Sequence, residues 1–147
     1  MLCRYINLKE ALLTHKLTIE KSGGGNSGVL NDGQLDSILE NIQNDDWYPT
    51  FEEKLTHLIF SVCKCHCFAD GNKRIAIVLG FEFLLINGYY FAMTNFLEDM
   101  ENISYHVAAG NIDKDLLGRI ISARLSGKED DESLKLDIIN ATTDKVG

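Results

Sequence analysis

The chain is short of proline, of positive charge and of long apolar runs, and each shortage removes possibilities. Pro49 is the only proline among 147 residues, so no Pro-rich linker divides the chain into two domains. No apolar run is long enough to span a bilayer, and the opening Met1-Leu2-Cys3-Arg4-Tyr5 lacks the charged-then-apolar layout of a signal peptide, which leads us to expect a cytoplasmic protein. Lys and Arg number 14 against 22 Asp and Glu, for a formal net charge of −8. That balance argues against a general nucleic-acid binder, because phosphate backbones are held by clustered cations. Any phosphate ligand must therefore be bound by a local group.

The four cysteines are also few. Cys63, Cys65 and Cys67 alternate and Cys3 stands far away, which is not the spacing of a secreted disulfide framework and suits a reducing compartment. Zinc sites space their thiols as C-x₂₋₄-C and need four converging ligands. Thiols alternating at a helix end are expected to point in different directions, so the run Cys63 to Cys67 argues against zinc.

What the chain does have is helical patterning. With 45% hydrophobic and 24% charged residues, it suits one globular domain that buries roughly 68–70% of its unfolded surface. Asn7 and Glu10 form a capping-box pair ahead of a helix to about Ile19, with Leu8, Leu12 and Leu13 as its apolar face. Lys21 to Gly33 carries five glycines and reads as one long loop, either a flexible connector or a flap. Leu35, Ile38, Leu39 and Ile42 then mark a short amphipathic helix. Thr50 and Glu53 start a third, with Leu55, Leu58, Ile59 and Val62 on one face.

Ile75 to Ile86 is apolar nearly all round, which a helix tolerates only when neighbours surround it, so it is the predicted central helix. Asn87-Gly88 stops it, and Tyr89 to Ala92 reads as an extended turn or small strand. Phe96, Met100, Ile103 and Val107 mark one further helix, and Leu116 to Ala123 another. The expected fold is all-α, a compact domain over residues 1–125, with residues 126–147 as an appendage or mobile tail.

Between the third helix and the central one lies His66-Cys67-Phe68-Ala69-Asp70-Gly71-Asn72-Lys73-Arg74. A turn that opens a helix aims backbone N–H groups and the positive end of the helix dipole at one spot, which attracts phosphate. His66 is placed to take a proton from an attacking hydroxyl. Asp70 offers Mg²⁺ the hard oxygen it prefers, and Gly71 lets the backbone approach a phosphate closely. Asn72 adds an amide, and Lys73 and Arg74 neutralise charge as point and fork. Singly, each residue has a bland reading as turn, cap or solvated charge; together they point to phosphate chemistry. His15, His57 and His106 have no motif around them and are read as packing or surface residues.

The pattern His66-x-Phe68-x-Asp70-Gly71-Asn72-Lys73-Arg74 resembles the signature of the Fic/Doc superfamily, and is most similar to its death-on-curing (Doc) toxin branch. The similarity runs from Tyr5 to about Leu125. It implies a compact helical fold, ATP as phosphate donor, Mg²⁺, and transfer to a hydroxyl of a target protein. The resemblance makes His66 the base, Asp70 the metal-holding acid, Gly71 and Asn72 the anion-hole residues and Arg74 the phosphate-contacting arginine. Residues 23–33 become the flap that positions the target.

AMP-transferring Fic proteins have Gly where this chain has Lys73, and a second Arg where it has Ile77. Both departures favour the Doc reading, in which the γ-phosphate moves and the enzyme is a Ser/Thr kinase. A translation factor is the implied target, and an antitoxin protein the implied partner. Cys67 stands where many members have Pro. Some Fic proteins carry an inhibitory helix of the form Ser/Thr-x-x-x-Glu-Gly/Asn, but Glu40-Asn41 and Glu101-Asn102 are preceded by Asp36 and Leu97 at the hydroxyl position, so control in trans is expected. The alternatives are a Fic-type adenylyltransferase and a non-catalytic module that binds nucleotide or peptide.

Overall fold

A computed structural model describes residues 2–143. The described residues form seven α-helices and one short 3₁₀ helix in the order α1 (Leu8–Lys21), α2 (Asp32–Asn41), α3 (Phe51–Lys64), α4 (Asn72–Ile86), the 3₁₀ turn (Tyr90–Met93), α5 (Phe96–Ala108), α6 (Lys114–Ser126) and α7 (Glu132–Thr143). The all-α expectation is met, and the one β-type pairing among them is an isolated bridge between Val29 and Phe68.

The helix starts follow local chemistry. Asn7 and Glu10 exchange both bonds of a capping box at the head of α1, satisfying two backbone donors that the first turn leaves free. Thr50 accepts the Glu53 N–H at 3.1 Å, and Asp113 accepts that of Leu116 at 2.8 Å. Residues 89–92 depart from the expected extended turn: from Tyr90 the chain winds into the 3₁₀ turn, of which Ala92 is the buried residue. Four aromatic or apolar residues in a row suit either conformation, and packing on α4 decides.

Helix α4 is central, as predicted. It packs against α1, α3, α5 and the 3₁₀ turn, and buries Ile75, Ala76, Ile77, Leu79, Phe83 and Leu84. It lies tight against α3 at Gly80, where an added Cβ would sit 2.8 Å from Ile59 Cδ1. The chain ahead of α1 is tied to the far end of α4, because Asn87 accepts the Arg4 N–H and donates to the Arg4 carbonyl at 2.8 and 2.9 Å. Leu35, Ile38, Leu39 and Ile42, and likewise Leu55, Leu58, Ile59 and Val62, are all buried as their spacing required.

The face of α1 differs from the expectation. Ala11, His15 and Ile19 are its buried residues, whereas Leu13 is 57% exposed. A histidine thus occupies the centre of an inward stripe, and its reason lies at the site. In the C-terminal stretch, residues 132–143 form α7, which rests on α6 with Leu134 buried and Arg119 paired to Asp137 at 2.7 Å. The last four residues of the expected tail, 144–147, lie outside the described residues.

Candidate active site

The motif loop joins the end of α3 to the start of α4, and each of its residues has a distinct environment. Phe68 is 1% exposed and anchors the loop in the core, while His66 and Asp70 on either side are exposed. His66 follows the C-terminus of α3, and no described side chain hydrogen-bonds its ring, which leaves both ring nitrogens available. Its backbone is better held than its ring. The flanking Cys65 and Cys67 are both buried and their sulfurs are bonded to each other. This overturns the expectation that alternating thiols diverge: beyond the end of α3 the chain is no longer helical, so neighbours two apart turn to the same side. Cys63, in the last turn of α3, remains a free thiol that burial pushes up to about 12, which keeps it unreactive.

The glycine-rich segment is stitched to the motif. Leu30 and Asn31 donate their N–H groups to the Cys67 carbonyl at 2.8 and 3.0 Å, and Ala69 donates to the Gly28 carbonyl at 3.0 Å. These bonds run on both sides of the Val29–Phe68 bridge, so the segment lies along the motif rather than merely connecting two helices. Gly25 comes close enough to Asp70 that an added Cβ would stand 3.0 Å from Asp70 Oδ2.

The start of α4 is arranged as an anion site. Gly71, its N-cap, has φ +79°, and an added Cβ would sit 2.9 Å from Ile19 Cδ1, so both the backbone and the neighbour demand glycine. It provides no side-chain cap, which leaves the first-turn N–H groups free of side-chain partners and open to a ligand. The Asn72 side chain turns inward: it accepts the Phe68 N–H at 3.1 Å and donates to the Phe68 carbonyl at 3.0 Å. What Asn72 presents outward is its backbone N–H.

Asp70, Gly71, Asn72, Lys73, Arg74 and Ile77 line one side of a cavity of about 340 Å³, and Glu101, Ser104 and Tyr105 of α5 line the other. The α5 residues carry no local sequence signal for this role; only the packing of α5 on α4 brings them here. Arg74 lies 3.5 Å from Glu101, with both side chains more than half exposed, a pair that a ligand phosphate can displace at little cost. His66 does not line this cavity. Ile77, the place of the second arginine in AMP-transferring proteins, is 2% exposed and faces the core at this wall.

The donor set suits Mg²⁺. Asp70 Oδ1 accepts the Gly71 N–H at 2.9 Å and Oδ2 takes no hydrogen bond from a described group, so one carboxylate oxygen is free beside the uncapped start of α4. Mg²⁺ is usually held by one or two carboxylates plus the substrate's phosphates.

His15 is the residue whose importance the sequence did not reveal. It is 1% exposed, stacks on Phe68 with ring centroids 3.8 Å apart, and its Nε2 lies 2.9 Å from the Asp70 carbonyl oxygen. It is a packing residue, as expected, but it packs beneath the motif.

A family model described as "Fic/DOC family" matches residues 5–84, more than half of the chain. Toxin Doc of Mycolicibacterium smegmatis is 32% identical over 108 residues, which cover 71% of this chain and 80% of that protein. With a family match that spans the motif loop, the segment stitched to it and nearly all of the central helix, the chain belongs to the Fic/DOC family.

Proposed function

We propose that this protein is a Doc-like toxin of a toxin–antitoxin pair, an ATP-dependent kinase that transfers the γ-phosphate of ATP to a Ser or Thr hydroxyl of a target protein such as a translation factor. Members of the Fic/DOC family generally transfer nucleotide-derived groups to proteins, with ATP as the general substrate. The observation that carries the reading is the uncapped start of α4, where free N–H groups, Lys73, Arg74 and the Asp70 carboxylate share one cavity.

The nucleotide's phosphates sit at the α4 N-terminus, where backbone N–H groups of the first turn and the helix dipole stabilise negative charge. Lys73 supplies a mobile point charge and Arg74 a planar fork that leaves Glu101 for a phosphate oxygen. Asp70 would hold Mg²⁺, which would supply positive charge to offset that of the phosphates. The segment along the motif positions the target chain so that its hydroxyl reaches the γ-phosphorus. His66 removes the hydroxyl proton as the new O–P bond forms, the bond from the γ-phosphorus to the bridging oxygen breaks, and ADP leaves. Lys73 and the apolar Ile77 support this orientation over AMP transfer, because the donors that a second arginine would supply are missing. The nearest described partner of Arg74 is a single glutamate on α5 without a hydroxyl residue four positions earlier, which supports regulation by a separate antitoxin.

Incubation with cell lysate and ATP labelled at either the α- or the γ-phosphate tests the proposal. A protein band labelled from the γ-position by wild type and not by His66→Ala is the expected result. Label from the α-position identifies an adenylyltransferase, and equal, background labelling by both proteins identifies a binding module.

A further inference from the structure

We propose that His15 is a positioning residue for the transfer reaction, acting through the Asp70 carbonyl that its Nε2–H holds from inside the fold. The inference rests on the function proposed above and extends its machinery to a helix, α1, that carries none of the motif.

The argument starts from the turn Asp70–Gly71. Its two neighbouring segments are pinned: Ala69 by its bond to Gly28, and Asn72 by its two bonds to Phe68. Between them the carboxylate of Asp70 binds only the adjacent Gly71 N–H. The restraint that reaches this turn from another element is His15, with Nε2 2.9 Å from the Asp70 carbonyl oxygen. A carbonyl only accepts, so Nε2 carries the proton.

The bond is made in apolar surroundings. His15 is 1% exposed and lies flat against Phe68, and Ile19 stands beside Gly71. Without the donor, the Asp70 carbonyl would face apolar side chains unpaired, and rotation of the peptide group between Asp70 and Gly71 would bring it to water. Gly71, with no Cβ, sets little barrier to that rotation. The same peptide group carries the Gly71 N–H that binds Asp70 Oδ1. Its rotation would therefore move the carboxylate and the entry to the first turn of α4 together, and those are the groups that meet Mg²⁺ and the phosphates. Misplacement on this scale lowers the rate of the chemical step more than it lowers affinity for a polyphosphate held by several other donors.

Two substitutions in the full chain separate ring packing from hydrogen bonding. His15→Phe keeps a flat ring on Phe68 and removes the donor, whereas His15→Gln keeps an N–H donor at a similar reach. Two readouts are needed: amide hydrogen exchange at residues 70–73 without nucleotide, and kcat and KM for ATP in γ-phosphate transfer. We expect His15→Phe to speed exchange at these amides and to lower kcat about tenfold, the effect of one lost hydrogen bond, with a much smaller change in KM. His15→Gln should restore most of both.

A folded His15→Phe protein with wild-type exchange and wild-type kcat overturns the proposal, and so does a His15→Gln protein that behaves no better than His15→Phe. If His15→Phe does not fold, His15→Gln decides alone: near-wild-type exchange and kcat support a donor role, and loss of either contradicts it. If wild type transfers no phosphate, the reading of function fails, while the exchange data still decide whether His15 orders the loop.

Discussion

Asn72 illustrates how one side chain can hold a loop in place. Both ends of its amide bond the backbone of Phe68, so Asn72→Ala should cost about 1–3 kcal/mol of stability by leaving those backbone groups unpaired. Urea denaturation measures this, and an unchanged midpoint would show that the two bonds contribute nothing. The motif itself was legible in the sequence because His66, Asp70, Lys73 and Arg74 differ sharply from their apolar flanks. The inward turn of Asn72 and the place of His15 were not. His15 meets Asp70 across 55 residues of sequence, and no local pattern encodes that contact.

His57 is a half-buried histidine away from the site. Burial, reinforced by the Lys114 ammonium 2.8 Å from its Nδ1, depresses it from the ordinary 6.5 to about 4. The folded protein therefore binds this proton less readily than the unfolded chain. The stability contribution is full above pH 6.5 and is lost as the pH falls toward 4. Stability measured at several pH values should fall more steeply across that window in wild type than in His57→Gln; parallel curves would contradict the assignment.

Among the helices, the contact of α3 with α4 decides where His66 stands relative to Asp70 and Arg74, since the loop between them and the first turn of α4 carry every motif residue. Gly80 sets their spacing. Gly80→Ala would drive a methyl to within 2.8 Å of Ile59 Cδ1, in a part of the core where Ile59 is fully buried. Overpacking of this kind costs about 1–3 kcal/mol, so thermal melting should shift downward; an unchanged melting temperature would mean that Ile59 has room to move. Helix identity was readable from caps and periodicity, as at Asn7, Thr50 and Leu55 to Val62. Three of the failures share a cause. The 3₁₀ turn at Tyr90–Met93, the buried face of α1 and the bonding of residues 28–31 to the motif all depend on partners distant in sequence, which local pattern does not report.

At the scale of the whole molecule, the proposed function requires a strongly acidic protein to bind phosphate at one helix terminus. The net charge of −8 repels polyanions in general, so binding rests on the first-turn N–H groups, Lys73 and Arg74 together. No helix among the described residues is long and apolar enough to cross a membrane. The central claim is that these groups hold ATP with its γ-phosphate toward the attacking hydroxyl. The most direct test uses a purified target and follows the nucleotide released in step with target modification. ADP, formed by wild type and not by His66→Ala, is the predicted product; pyrophosphate released in step with modification would contradict the account.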